Sequence, residues 1–450
     1  MKAMIGDLNI LYIHTHDTGR YIQPYGYAVP TPNLQAFSRQ GTVFRQAFSC
    51  APTCSPSRSA LLTGRSPHSC GMLGLAHLGF ALPDYGQHLV QRLNSCGYRT
   101  VLCGIQHEAE QVCAIGYQRV LGNTGLGAWT ERDSSGEEDL ANAREVARYL
   151  RSVTKGPVFL SYGMFSTHRR FPQIDDPAPT RAIRPPSALP DHPAVREDFA
   201  AYVQSAAVAD RCFGIVMDAL AASAICDNTL VIFTTDHGIA FPGMKCTLFD
   251  GGIGVSLLLD YPGNPSRARA VDALVSQIDL LPTICDLTGI ECPEGIQGVS
   301  LVPLLTGQRQ EVREELFAEI NYHVVYEPLR CVRTSRFKLI RDFGSYDRGL
   351  PANCDDSPTK DLFLENGYFD RPREREMLYD LLFDPVELHN LVAEDSCREE
   401  YREVYGDLRG RLQSWMEDTD DPLLDGEVPR PKRAIVGKDS MISPKELFRS

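Results

Sequence analysis

Short apolar runs that alternate with amphipathic helical stretches constrain this chain more than any other feature. "LNILYIHTHD" reads as a strand ending in polar residues, and "PNLQAFSRQGTVFRQAF" as a helix followed by a second strand. "GQHLVQRLNSCGYRTVLCGIQHE" gives a helix, a glycine turn, a strand and a polar cluster. "GPVFLSYGMFSTHRRF" is a strand from Val158 with His168 just beyond it. After the long helix of "REDFAAYVQSAAVADRCFGIVMDALAAS", the run "NTLVIFTTDHG" is again a strand, closing on Asp236 and His237. Strands separated by helices imply an α/β fold, a mostly parallel sheet with helices on both faces. In such sheets ligands sit beyond the carboxyl ends of the strands. His16 with Asp17, His107, His168, and Asp236 with His237 each follow a different strand, so the topology predicts that they meet at one sheet edge.

The pattern changes near residue 312. "REELFAEIN", "LRCVRTSRFKLIRDF" and "EMLYDLLFDPVELHNLV" read as short strands and a turn, with a final helix over 397–416. The expected organisation is therefore a larger α/β domain over 1–311, a smaller α+β domain with an antiparallel sheet over 312–425, and a polar, proline-containing segment over 426–450. That last segment reads equally well as a disordered tail or as an oligomerisation arm on a partner subunit.

Charge excludes one class of partner. Lys and Arg number 45 against 58 Asp and Glu, a net charge of −13, and a general nucleic-acid binder needs a basic surface. No stretch approaches the apolar length of a membrane span. Fourteen cysteines without CxxC pairs, behind an N-terminus that does not read as an export signal, favour reduced thiols in a cytoplasmic protein. An acidic chain can still bind a small anion through a local cluster of cations or a metal.

"CSPSRSALLTGR", Cys54 to Arg65, opens a helical pattern with a thiol and a guanidinium close together. A helix start favours anions through its free N–H groups, and Arg58 adds to that field. The run resembles the signature of the formylglycine-dependent sulfatases of the alkaline-phosphatase-like superfamily, C-[S/T/C/A]-P-S-R followed by x-x-L-L-T-G. "NILYIHTHDTG" and "TPNLQAFSRQGTVFRQAF" before it, and "VIFTTDHG", "SQIDLLPTICDLTGI", "IQGVSLVPLLTG" and "LYDLLFDPVELHNL" after it, match further landmarks of that family, so the resemblance covers nearly the whole chain. "GMLGL" and "DHGIAFPGMKCTLFDGG" resemble its N-sulfoglucosamine sulfohydrolase branch and bacterial relatives.

The resemblance implies that Cys54 is oxidised by a formylglycine-generating maturation enzyme, and that Arg58 stays beside the resulting diol. It places a divalent metal on Asp17, Asp236 and His237, with residue 54 completing the shell. Calcium is the family expectation, while imidazole donors shift the preference toward manganese or zinc. Lys245 matches the lysine that bridges sulfate and nucleophile. His168 matches the histidine that protonates the leaving group or holds the sulfate, and His107 the histidine of a G-K-x-H element.

Two departures stand out. His16 precedes Asp17 where many sulfatases carry paired Asp, which leaves His16 as either a ligand or a substrate contact. Ile105 stands where the G-K-x-H lysine belongs, so Gln106 or another residue would have to compensate for one lost charge. The leading reading is hydrolysis of a sulfate ester or sulfamate, such as a sulfated sugar. A phosphonate monoester or phosphodiester hydrolase on the same scaffold is the alternative, and a non-catalytic binder of sulfated glycans with unmodified Cys54 is the third. Pocket walls are expected from residues 107–133 and 180–198, where Arg181 and Arg184 could read a carboxylate or second sulfate, or simply be exposed charges.

Overall fold

In the computed structural model, residues 8–122, 135–174, 182–392 and 399–448 are described. Eight strands form the larger sheet: β1 (Asn9–Thr15), β2 (Thr42–Phe48), β3 (Arg99–Gly104), β4 (Arg119–Leu121), β5 (Val158–Gly163), β6 (Thr229–Thr235), β7 (Leu257–Asp260) and β8 (Arg269–Ser276). Their order is β4-β3-β5-β1-β6-β7-β2-β8. Only β7 runs antiparallel to its neighbours, β6 and β2. The fold class read from the strand–helix alternation is thus the one observed.

Both faces of this sheet are buried, which is why its strands read as near-continuous apolar runs. Along β1, Leu11 and Ile13 pack beneath the helices Glu137–Ser152 and Pro193–Ala221. Ile10 and Tyr12 point the other way, toward the helices Cys54–Thr63, Leu89–Ser95 and Leu280–Thr288. The same alternation splits Val231 and Phe233 of β6 from Leu230 and Ile232.

The central strands β3, β5, β1 and β6 stop level with one another. Gly104 pairs with Gly163, His14 with Gly163, and Thr15 with Thr235. Their ends approach closely: a Cβ on Gly104, whose φ is +76°, would lie 2.0 Å from the Gly163 carbonyl oxygen. Glycine is required there for the strands to finish side by side and release their polar residues at one edge.

A second sheet, β9 (Glu315–Tyr322), β10 (Tyr326–Thr334), β11 (Phe337–Asp342) and β12 (Glu376–Asp380), is an antiparallel meander. One face packs on the last long helix, through Val332, Leu339 and Leu378 against Leu408, Leu412 and Met416. That helix runs from Arg402 to Asp418, after a short turn at Glu399–Tyr401, slightly later than its periodicity predicts. The other face packs Ile320, Leu329 and Ile340 onto Phe48, Leu248 and Ile253 of the larger domain.

The segment beyond residue 426 lies against its own chain. The Ile435 amide donates to the Leu78 carbonyl, the Gly437 amide to Val324, and Lys360 Nζ to the Ile442 carbonyl. Among the described residues no helix is long and apolar enough to cross a membrane.

A buried ionic cluster joins the two domains. Arg330 is fully buried and donates to both carboxylate oxygens of Asp421, at 2.6 and 2.9 Å. Glu319, 3.2 Å from Arg330, also accepts from His68 across the domain boundary. Removing one partner strands the others as buried charges. Arg330→Ala should therefore cost about 3–5 kcal/mol of stability, read as a lower denaturation midpoint in urea.

Candidate active site

The N-terminus of the helix Cys54–Thr63 faces the level strand ends. The helix begins at Cys54 itself, as the motif's pattern suggests, because Pro56 falls in the first turn, where its missing N–H is no loss. Every residue of this helix is buried. Ser57 Oγ donates to the Asp236 carbonyl at 2.6 Å and ties the helix to the end of β6. Pro52 accepts from the Cys246 amide and Cys50 from the Glu319 amide, so both domains brace the chain just before Cys54.

Cys54 Sγ lies 3.3 Å from His237 Nε2. His237 Nε2 is also 3.3 Å from Asp17 Oδ1 and 3.7 Å from Asp236 Oδ2. The Asp17 amide donates to Asp236 Oδ1 at 2.8 Å, so the two carboxylates are locked together across adjacent strands. Burial alone would raise both acids. Lys245, His168 and His237 instead hold Asp17 well below the usual carboxylate range, and Arg58, His237 and His16 do so for Asp236. Both are ionised at neutral pH.

This group is the best candidate metal centre, and its chemistry passes a test of fit. Asp17, Cys54, Asp236 and His237 each offer a donor atom, all within 4.8 Å of one another. His237 Nδ1 lies 3.0 Å from the Gly238 carbonyl and must be the donor there, which leaves the Nε2 lone pair pointing at carboxylate oxygens. Burial pushes the His237 pKa down, so the ring is neutral. A lone pair facing two carboxylates repels them unless a cation lies between. His16 belongs to the same centre, with Nδ1 at 3.2 Å from Asp17 and 3.1 Å from Asp236.

Arg58 sits behind the carboxylates. Its Nη2 donates to Asp236 Oδ2 and to the Thr15 carbonyl, both at 2.9 Å, and its Nη1 reaches His14 Nδ1 at 2.6 Å. Through these bonds it fixes Asp236 and the end of β1. Lys245 stands in front. Its Nζ donates to Asp17 Oδ2 at 2.8 Å, lies 3.0 Å from Asp355 and 3.5 Å from His168 Nε2. Burial would lower the lysine, but Asp17 and Asp355 hold its pKa well above the ordinary value.

Burial, with Lys245 beside it, pushes His168 down to about 4. Its Nδ1 faces the Arg169 carbonyl, so the neutral ring presents Nε2 to Lys245. His107 stands with a positive φ of 59°, and its Nε2 meets His77 Nδ1 at 2.9 Å. Burial, reinforced by His77 and His16, holds His107 well below its usual range. Gln106 does not replace the lysine absent at Ile105. Its amide oxygen accepts from the Glu108 and Ala109 amides and its nitrogen donates to the Ala109 carbonyl, so it is used up within its own turn. Ile105 itself is buried.

All nine residues singled out by sequence therefore meet at one edge. Three neighbours were not visible there: His77, His323 and Asp355, the last two from the smaller domain. No motif marks any of the three, and only the docking of that domain brings His323 and Asp355 to Lys245. Arg184 is exposed at the chain surface, and Arg181 lies outside the described residues.

Burial keeps the Cys54 thiol protonated, with Asp17 and Asp236 opposing its ionisation. An unmodified thiolate is disfavoured here, so cysteine as such is a poor nucleophile.

Fold and site together define a hydrolase of the alkaline-phosphatase type. The chain belongs to the sulfatase family, whose model matches residues 8–290, and residues 243–350 match the C-terminal domain model of N-sulphoglucosamine sulphohydrolase. It is a sulfuric ester hydrolase. Human N-sulphoglucosamine sulphohydrolase is 29% identical over 88% of this chain and 87% of its own length. Among solved structures, a 2-O GAG sulfatase superposes with a TM-score of 0.73 at 20% identity, covering 98% of this chain and 99% of that one. A complex of a protein with its substrate D-glucosamine-2-N,6-O-disulfate has a TM-score of 0.73 at 17% identity, covering 94% and 100%.

One buried acid remains beside the site. Glu108 is pushed up to about 8 by burial, against the opposing pull of Arg58. Its folded pKa exceeds the unfolded value of 4.5, so its contribution to stability is full below pH 4.5 and is lost as pH rises through about 8. Glu108→Gln should raise the melting temperature by several degrees relative to the parent in alkaline buffer and by much less in acid, checked by thermal melts across that range.

Proposed function

We infer that this sulfatase cleaves a sulfate ester or sulfamate of a sugar, through formylglycine made from Cys54 and with a divalent metal. The observation that carries this reading is Cys54 at a helix start, 3.3 Å from His237 and grouped with Asp17 and Asp236. The modification would supply a hydrated aldehyde, whose hydroxyls would serve as nucleophile toward sulfur and as the group that later frees the sulfate. A metal held by Asp17, Asp236 and His237 would supply Lewis acidity toward a sulfate oxygen.

The chain's own groups divide the remaining work. Arg58 holds Asp236 and the end of β1 in place. Lys245 attracts the anionic group and neutralises Asp17. His168, neutral and in contact with Lys245, stands on the leaving-group side, where arriving negative charge raises its affinity for a proton. His107 and His77 flank the same opening.

Charge favours a monoanion. Asp17, Asp236 and Asp355 against Arg58 and Lys245 leave one net negative charge, which a divalent ion converts to one positive. That suits a sulfate monoester or sulfamate better than a dianionic phosphate monoester. A phosphodiester is also a monoanion and is the competitor to test. The similarity to N-sulphoglucosamine sulphohydrolase supports N-sulfoglucosamine as the first substrate to try.

Thirteen cysteines, all those among the described residues, are free thiols, which supports a reducing compartment and the cytoplasm as the place of action. A formylglycine-generating enzyme is then required in the same host.

Peptide mass spectrometry should find the Cys54 segment about 18 Da lighter than the thiol form, the change from CH2SH to CHO. The matured protein should hydrolyse N-sulfoglucosamine or an aryl sulfate with a higher kcat/KM than an aryl phosphodiester; the reverse order would favour the competitor. Chelation should abolish turnover. With imidazole in the shell, manganese should restore it at least as fully as calcium; recovery with calcium alone would place His237 outside the shell.

A further inference from the structure

The smaller domain delivers two polar groups to the front of Lys245: Asp355, ion-paired with that lysine, and His323, whose Nδ1 has no hydrogen-bond partner among the described residues. Asp355 Oδ2 lies 3.0 Å from Lys245 Nζ, yet this buried oxygen is out of line for a hydrogen bond and accepts none. His323 is 7% exposed, and its buried Nδ1 has no partner among the described residues. Lys245, Asp355, His237 and His77 are the charged or ionisable groups that bear on its ring. A buried imidazole nitrogen without a partner costs stability unless a ligand meets it, and the Asp355 oxygen, ion-paired but accepting no hydrogen bond, still has room for a donor.

Their placement is built. Asn353 Oδ1 accepts from the Val324 and Val325 amides, at 3.0 and 2.8 Å, and its Nδ2 donates to Glu327. This one side chain therefore fixes the turn carrying His323 to the loop carrying Asp355. Lys360 Nζ then donates to the carbonyls of Cys354 and Ile442, clamping that loop to the C-terminal segment. A cleft of about 1150 Å³ adjoins the site, lined by Lys245, Asn353 and Cys354 and by Arg371 and Arg373 but not by Asp355 or His323 themselves.

We propose that Asp355 and His323 form the leaving-group subsite, gripping a hydroxyl or amine that neighbours the scissile bond. This rests on the sulfated-sugar reading above and narrows it. Asp355 is an acceptor held ionised, so it takes a hydrogen from an amino or hydroxyl substituent and repels a carboxylate or second sulfate at that position. The favoured leaving group is an amino sugar or polyol without an acid next to the sulfated atom. In this arrangement Lys245 faces the sulfur, His168 the atom that leaves, and Asp355 and His323 the sugar beyond it.

The test compares kcat/KM of the matured enzyme on N-sulfoglucosamine and on 4-nitrophenyl sulfate, whose leaving group offers no such donor. Asp355→Asn should weaken both, and the sugar at least about tenfold more than the aryl ester. Equal losses would mean that Asp355 acts only through Lys245 and would overturn the subsite. Should Asp355→Asn fail to fold, His323→Gln carries the same comparison. If the parent enzyme turns over neither compound, the sulfated-sugar reading fails by itself, and calorimetry decides the subsite separately. D-glucosamine should bind the parent and bind Asp355→Asn at least about tenfold more weakly; equal affinity, or no binding to the parent, would refute it.

Discussion

Asp17 and Asp236 are two carboxylates, buried and ionised, at the ends of adjacent strands and joined by one hydrogen bond from the Asp17 amide. Much of the surrounding structure follows from the cost of keeping their charge out of water. Arg58 is spent on Asp236 from behind and Lys245 on Asp17 from in front. His14, His107, His168 and His237 are all held down by burial, so they surround the pair as neutral rings rather than as further cations. A divalent ion held by Asp17, Asp236 and His237 would complete a balance that the side chains leave unfinished.

The second dependence is on the smaller domain, which acts as the fourth wall of the site. Its strand β9 donates from Glu319 to the carbonyl of Cys50, and the loop carrying Lys245 donates from Cys246 to Pro52. The turn before the nucleophile is thus held from two sides and has no room to relax. The same domain reaches past that turn to set Asp355 against Lys245 and to bring His323 beside it. Bracing the chain before Cys54 and setting Asp355 against Lys245 are then two consequences of one docked interface, fastened by Arg330, Glu319, His68 and Asp421.

The absent lysine at Ile105 shows how a single position limits inference from pattern. A lost cation invites a neighbour to replace it, and Gln106 is the nearest polar side chain. In the structure Gln106 closes its own turn, and His107, turned by a positive φ, meets His77 instead. The region beside His107 is therefore less positive than the family pattern, and Asp355 makes the opening less positive still. A neutral or amino-bearing leaving group fits that balance better than an acidic one.

From the sequence alone came the parallel sheet, the antiparallel strands after it, and the gathering at one edge of nine residues from His16 to Lys245. The reason is local: strand periodicity is written in consecutive residues, and a parallel sheet built from crossovers gathers the ends of its strands on one edge whatever the details of packing. The resemblance of the run from Cys54 to Arg65 then supplied the chemistry. What only the tertiary structure decided was the company these residues keep. His77 against His107, Asp355 against Lys245, Arg58 turned toward Asp236, and the final segment laid along Leu78 and Val324 are all contacts between distant parts of the chain. No periodicity encodes such contacts, because they depend on how two finished domains fit together, and that fit is set by side-chain shape and buried charge rather than by any pattern along the chain.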